Sequence, residues 1–146
     1  MSHILLIGYG NPLRGDDGLG WVAAEMVAER QTAVSILTCH QLTPELSEPI
    51  SRADQVIFID ATAVGEPGEI VCHTLTPAGA SGELFSHTCD PAGLLKMAEM
   101  LYGRSPLGHL FTITGASFGY EETLSETVTA VLPQLCAKIE DVMREA

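Results

Sequence analysis

The apolar run Ile4-Leu5-Leu6-Ile7 passes directly into Gly8-Tyr9-Gly10-Asn11-Pro12-Leu13-Arg14-Gly15-Asp16-Asp17-Gly18-Leu19-Gly20, where a helical pattern begins. A strand, a glycine-rich turn and a helix, in that order, are how an α/β domain builds a site above its sheet. Glycines let backbone come close to a ligand, but the adjacent carboxylates of Asp16 and Asp17 repel a phosphate. The loop suits a cation. The dinucleotide fingerprint fails as well, because Leu13 stands where the third glycine of G-x-G-x-x-G belongs.

The rest of the chain alternates β and α patterns without a linker or repeat. A strand is expected over 3–8 and a helix over 19–30, with Val22, Met26 and Val27 on its buried face. A second strand covers 33–39. Thr43 and Pro44 then open a short helix to Arg52, as N-cap and first helical residue. Gln55 to Asp60 is the clearest buried strand. After the turn Glu66-Pro67-Gly68, residues 69–74 read as a short antiparallel edge strand. Residues 76–88 turn Gly/Ala/Ser-rich and suggest a surface loop. A helix capped by Asp90 is expected over 91–102, a last strand over 110–114, and a final helix from Ser125 to Arg144. That final helix carries Val128, Val131, Leu132 and Leu135 at helical spacing. These elements predict one α/β domain over residues 1–146: three α/β/α layers around a mostly parallel twisted sheet of about five strands, one edge strand antiparallel.

Charge and hydropathy narrow the partners. Nineteen acidic residues against seven basic ones give a formal charge of −12, which argues against nucleic acid. No run of 18 apolar residues is present, so no membrane insertion is expected. Met1-Ser2-His3 lacks the basic start of a signal peptide, which predicts a cytoplasmic protein. Cys39, Cys72, Cys89 and Cys136 are widely spaced without Cys-x-x-Cys and read as free thiols.

Ligands of open parallel sheets bind beyond the carboxyl ends of the strands. Asp16 and Asp17 follow the first strand, Asp60 ends the third, and His87 precedes the helix that opens at Pro91. If the first and third strands are central neighbours, these groups converge. An imidazole with two carboxylates suits a borderline transition metal with positions left open. Each residue also has a plainer role. Asp16 or Asp17 can cap the following helix, Asp60 can be a buried carboxylate with a local partner, and His87 can be a solvated loop histidine. Cys89 could add a soft ligand or simply pack under its helix. Gly115-Ala116-Ser117-Phe118-Gly119 has the spelling of a nucleophile elbow but is read as a turn closing a strand.

The same residues carry a family resemblance. Ile4 to Leu13 with Asp16-Asp17-Gly18-Leu19-Gly20 is similar to the G-x-G-N-x-L…D-[DE]-x-x-G signature of the hydrogenase maturation proteases, which trim nickel–iron hydrogenase large-subunit precursors. Phe58-Ile59-Asp60-Ala61 resembles their strand-end aspartate. Ser86-His87 before Leu94-Leu95 resembles their segment ahead of a helix, and Gly115 to Ser125 with Glu122 and Leu124 their closing G-x…E-x-L-S segment.

The resemblance implies an endopeptidase that removes the C-terminal extension of the precursor after nickel insertion. It implies that Asp17, Asp60 and His87 form both the metal-binding and the catalytic set. The nickel is expected to arrive with the substrate, with other divalent ions able to substitute in vitro. Two departures stand out. Asp17 is one methylene shorter than the glutamate of some relatives, and Gln41-Leu42-Thr43-Pro44 replaces a Gly-Thr-rich turn. Two other functions fit parts of the sequence: a non-hydrolytic nickel-binding accessory module, and a peptidyl-tRNA hydrolase-like enzyme suggested by Gly8-x-Gly10-Asn11-Pro12. The charge of −12 disfavours the latter.

Overall fold

The computed structural model describes residues 3–77 and 89–145. The strands are β1 (Ile4–Tyr9), β2 (Val34–Cys39), β3 (Gln55–Thr62), β4 (Ile70–Leu75) and β5 (Leu107–Thr114). The helices are α1 (Leu19–Arg30), α2 (Ser47–Arg52), α3 (Pro91–Tyr102) and α4 (Glu126–Arg144), with 3-10 turns at Gly15–Gly18 and Pro44–Leu46. The sheet order is β2-β1-β3-β5-β4. All neighbours are parallel except β4, which runs antiparallel to β5 at one edge, as expected.

Alternation along the central strands divides the core between two helical layers. Ile4 and Leu6 of β1, Ile57 and Ile59 of β3, and Phe111 and Ile113 of β5 pack with α1 and α4. Leu5, Ile7, Val56 and Phe58 pack on the other face with Ile50 of α2 and Leu94, Leu95 and Ala98 of α3. Strands covered on both faces are apolar at every position, which is why residues 4–7 and 56–59 read as unbroken hydrophobic runs.

Helix α1 lies unusually close to the sheet. A Cβ at Gly8 would meet the Gly20 carbonyl oxygen at 2.1 Å, and one at Gly20 would meet that of Ile59 at 2.5 Å. This approach rotates the expected helix face, which keeps Val27 and the partly buried Met26 but not Val22. Leu19, Gly20, Ala23, Ala24 and Val27 are buried, with glycine and the alanines allowing the close approach, whereas Val22 is 37% exposed.

Three boundaries also differ from expectation. Thr43 makes no side-chain cap; the chain enters α2 through a 3-10 turn, and the Ser47 hydroxyl donates to the Pro44 carbonyl at 2.7 Å. Strand β3 continues past Asp60 to Thr62, and β5 starts at Leu107 because Gln55 to Thr62 pair with Leu107 to Thr114 throughout. The caps at Asp90 and Ser125 form as expected, accepting from the amides of Gly93 and Val128. All four cysteines are free.

Strand order reverses between β1 and β3. From β1 the chain moves outward to β2, and from β3 it proceeds to the other half of the sheet. Loops leaving the carboxyl ends of two such strands part and leave a crevice.

Candidate active site

The glycine loop forms one wall of that crevice. Gly10 has φ +136°, and a Cβ there would lie 2.1 Å from the Asp17 carbonyl oxygen, so this position takes no side chain. The Trp21 indole N–H of α1 donates to the carbonyls of Gly10 at 3.0 Å and Cys39 at 3.2 Å, and the Gly10 amide donates to the Cys39 carbonyl at 3.0 Å. The loop is therefore tied to both α1 and the end of β2. Across it, the Asn11 amide donates to Asp17 Oδ2 at 2.7 Å. One carboxylate oxygen of Asp17 is fixed by the loop.

Asp60 occupies the other wall, near the carboxyl end of β3. Its Oδ1 accepts from the Ala61 amide at 2.8 Å, and the Tyr9 phenol at the end of β1 is near enough to influence the same carboxylate. Burial pushes the Asp60 carboxyl up to about 6. The hydrogen bond from Ala61 and the nearby Tyr9 hydroxyl oppose that rise, and the nearby Asp17 charge adds to it. Burial and the Asp60 charge together push the Tyr9 phenol far above its usual range, so Tyr9 remains protonated at physiological pH. Asp17, Asp60 and Tyr9 line one open cleft of about 240 Å³, together with His40, Leu42 and Cys89. The two carboxylates are thus brought together.

Asp16 turns the opposite way and has a different task. It is fully buried and accepts four hydrogen bonds, from the Ala116 amide (2.7 Å), the Ser117 amide (3.1 Å), the Ser125 amide (2.7 Å) and the Ser125 hydroxyl (2.8 Å). Burial alone would raise its pKa, but these donors outweigh it and hold the carboxyl below its usual range. The expected cap of α1 is absent: Gly18 holds the N-cap position without a side-chain bond. Asp16 instead fastens the glycine loop to the 115–125 segment. The Gly15 amide supports it by donating to the Glu121 carbonyl at 2.8 Å, and Arg14 Nε by donating to the Phe118 carbonyl at 3.1 Å.

His87 lies outside the described residues. Cys89, two positions later, lines the cleft. Among the described residues no three His, Cys, Asp or Glu side chains converge on a metal-sized site. Ser117 is exposed, and α4 begins only at Glu126, so the strand-turn-helix context of a nucleophile elbow is missing. Neither Tyr9 nor His40 is singled out by the sequence. Tyr9 is the variable residue of G-x-G, and its position at a strand end was the available clue. His40 stacks edge-on to Trp21 at 5.7 Å, a contact across 19 residues that no local pattern announces.

No family model matches the chain, and no curated protein matches it either. Solved structures do. The chain is similar to the hydrogenase maturating endopeptidase HybD from E. coli, with a TM-score of 0.76 and 25% identity, over 98% of this chain and 93% of that one. It is similar to the [NiFe] hydrogenase maturation protease HycI from Thermococcus kodakarensis KOD1, with a TM-score of 0.75 and 27% identity over the same shares. The hydrogenase 2 maturation peptidase from Thaumarchaeota archaeon SCGC_AB-539-E09 shares the fold at a TM-score of 0.73 and 22% identity, over 97% of both chains. Nearly end to end, then, the chain is a structural relative of the hydrogenase maturation endopeptidases, the family that its glycine loop and strand-end aspartate resemble.

Proposed function

We propose that this protein is an endopeptidase of hydrogenase maturation, which removes the C-terminal extension of a nickel–iron hydrogenase large-subunit precursor once nickel has been inserted. The observation that carries this reading is the pairing of Asp17 and Asp60 in one cleft at the reversal point of the sheet. Its support is the likeness to HybD and HycI over almost the whole chain.

The donor set fits a cation that arrives with the substrate. Two carboxylates and the imidazole of His87 are hard and borderline donors without a thiolate pair, suited to sharing an ion rather than storing it. Asp60 carries a proton mainly below about pH 6 in the free protein and would give it up there to an arriving cation. Asp17 keeps one oxygen on the Asn11 amide, which leaves the other for the ion. Nickel in such a site would polarise a carbonyl or activate water. The protein's own part is to orient these donors and hold the glycine loop rigid beneath the substrate tail.

The test is processing in vitro of nickel-loaded and nickel-free precursor by the purified chain. The reading requires that only the loaded precursor be shortened. Equal cleavage of both would overturn the nickel requirement, and binding of loaded precursor without any cleavage would leave the accessory-module function instead.

A further inference from the structure

A second cavity lies at the opposite pole of the sheet, where β3 and β5 begin. It has a volume of about 250 Å³ and is walled by Leu75, Leu107 and Val142, with Glu145 at its side. Gln55 and Asp60 are five residues apart on β3, which separates this cavity from the strand-end cleft by about 16 Å.

Its polar lining is incomplete. Gln55 is fully buried, and its Oε1 has no hydrogen-bond partner. The amide orientation is fixed, because Nε2 donates to the Val142 carbonyl at 3.2 Å; exchanging N and O would set two acceptors against each other. The vacant group is therefore an acceptor. His109, in register with Ile57 one step along the same sheet face, has a buried Nδ1 that is also without a partner. Burial lowers the His109 pKa, so the ring is neutral and offers one donor and one acceptor nitrogen. Buried polar atoms normally have partners. Two orphans stand beside one apolar cavity, on neighbouring strands; both atoms are closed to solvent, so a bound molecule completes their pairing by shifting the side chains that cover them.

We propose that this cavity is a second ligand site, taking a compact, apolar, neutral or cationic molecule whose N–H or O–H group donates to Gln55 Oε1. The apolar walls take the body of the ligand and the two orphan groups orient it, the usual division of labour in small-molecule sites. The Glu145 carboxylate beside the cavity and the overall charge of −12 disfavour anions.

Indole and indene are suitable probes, nearly identical in shape but differing in the N–H donor. Each is titrated into the full chain while backbone amide shifts are followed by NMR. Saturable shifts are expected around residues 55, 74–76, 107–109 and 142–145, with indole binding about fivefold more tightly than indene, the worth of one neutral hydrogen bond. Gln55→Met should remove that preference. Leu107→Trp, at a position 60% exposed and hence tolerant of substitution, should block both probes and keeps the test open if Gln55→Met does not fold. No saturable shifts, shifts confined elsewhere, equal affinity for the two probes, or undiminished binding to Leu107→Trp would each overturn the proposal.

Discussion

Ser125 donates twice to Asp16 across 109 residues of chain, its amide to Oδ1 at 2.7 Å and its hydroxyl to Oδ2 at 2.8 Å. The same hydroxyl accepts from the Val128 amide at 3.2 Å and so caps α4. One buried carboxylate therefore joins the loop that carries Asp17 to the start of the last helix. The pairing makes Asp16 a structural residue whose loss is felt at the site.

Asp16→Ala leaves the partly buried donors of the 116–125 segment without their shared acceptor, and a fully buried unsatisfied group costs about 1–3 kcal/mol. The variant should lose about 3 kcal/mol in urea unfolding, more than an exposed helix cap would cost. A loss below about 1 kcal/mol would show that the network contributes little.

The same carboxylate sets a pH dependence. Its pKa is depressed in the folded state, so the unfolded chain binds the proton more tightly. The stabilisation is complete above the unfolded carboxylate value of about 3.9 and is lost as pH falls through the folded value. Stability measured against pH should fall on the acid side, and Asp16→Asn should flatten that limb. An unchanged limb would assign the acid sensitivity to other groups.

Asp60 behaves with the opposite sign. Its carboxyl titrates at about 6 in the folded chain, so folding favours its protonated form and stability from this group falls as pH rises from about 4 to about 6. In the metal-free protein, Asp60→Asn should be neutral below pH 4 and stabilising above pH 6. Tyr9→Phe removes the hydroxyl that favours the ionised carboxylate and should raise the Asp60 value further, read from the carboxyl carbon shift by NMR. A value near 4 in the parent chain would mean that the cleft is wetter than its geometry implies.

Much of this architecture was written in local pattern. Residues 4–7 and 56–59 announced central parallel strands because burial on both faces leaves no polar position, and Glu66-Pro67-Gly68 announced the reversal into the antiparallel edge. Asp17 and Asp60 could be placed together because strand ends on one side of a parallel sheet share a pole. What escaped was tertiary. Asp16 looked like a local cap, since nothing near it in sequence reveals Ser125, and Val22 looked buried because helical periodicity does not register the backbone contact of Gly8 with Gly20. The approach of Tyr9 to Asp60 likewise joins two strands whose adjacency no motif states.

Gly10→Ala tests the rigidity of the loop. A side chain at φ +136° is strained by about 1–3 kcal/mol, and its Cβ would also press on the Asp17 carbonyl oxygen. The loop must open, taking the Asn11 amide away from Asp17. The variant should lose processing of nickel-loaded precursor while retaining its helix content by circular dichroism. Full activity would mean that the Asn11–Asp17 bond does not position the carboxylate.

On the proposed function, nickel travels with the substrate and does not reside on this chain. Asp17 and Asp60 supply carboxylate oxygen only, and the trio with His87 has neither a thiolate nor a second imidazole. First-row ions prefer nitrogen and sulfur to such a set, so the free chain should hold nickel weakly. Below about pH 6 Asp60 adds to that weakness, because a proton then competes for its carboxylate. Equilibrium dialysis should find the free protein largely unloaded at micromolar nickel, yet a nickel-loaded precursor should bind it more tightly than a nickel-free one. His87→Ala and Asp60→Asn should each erase that difference and abolish processing, with the fold retained. Tight, stoichiometric nickel on the isolated chain would instead make the ion a resident cofactor, and the substrate would no longer be the carrier.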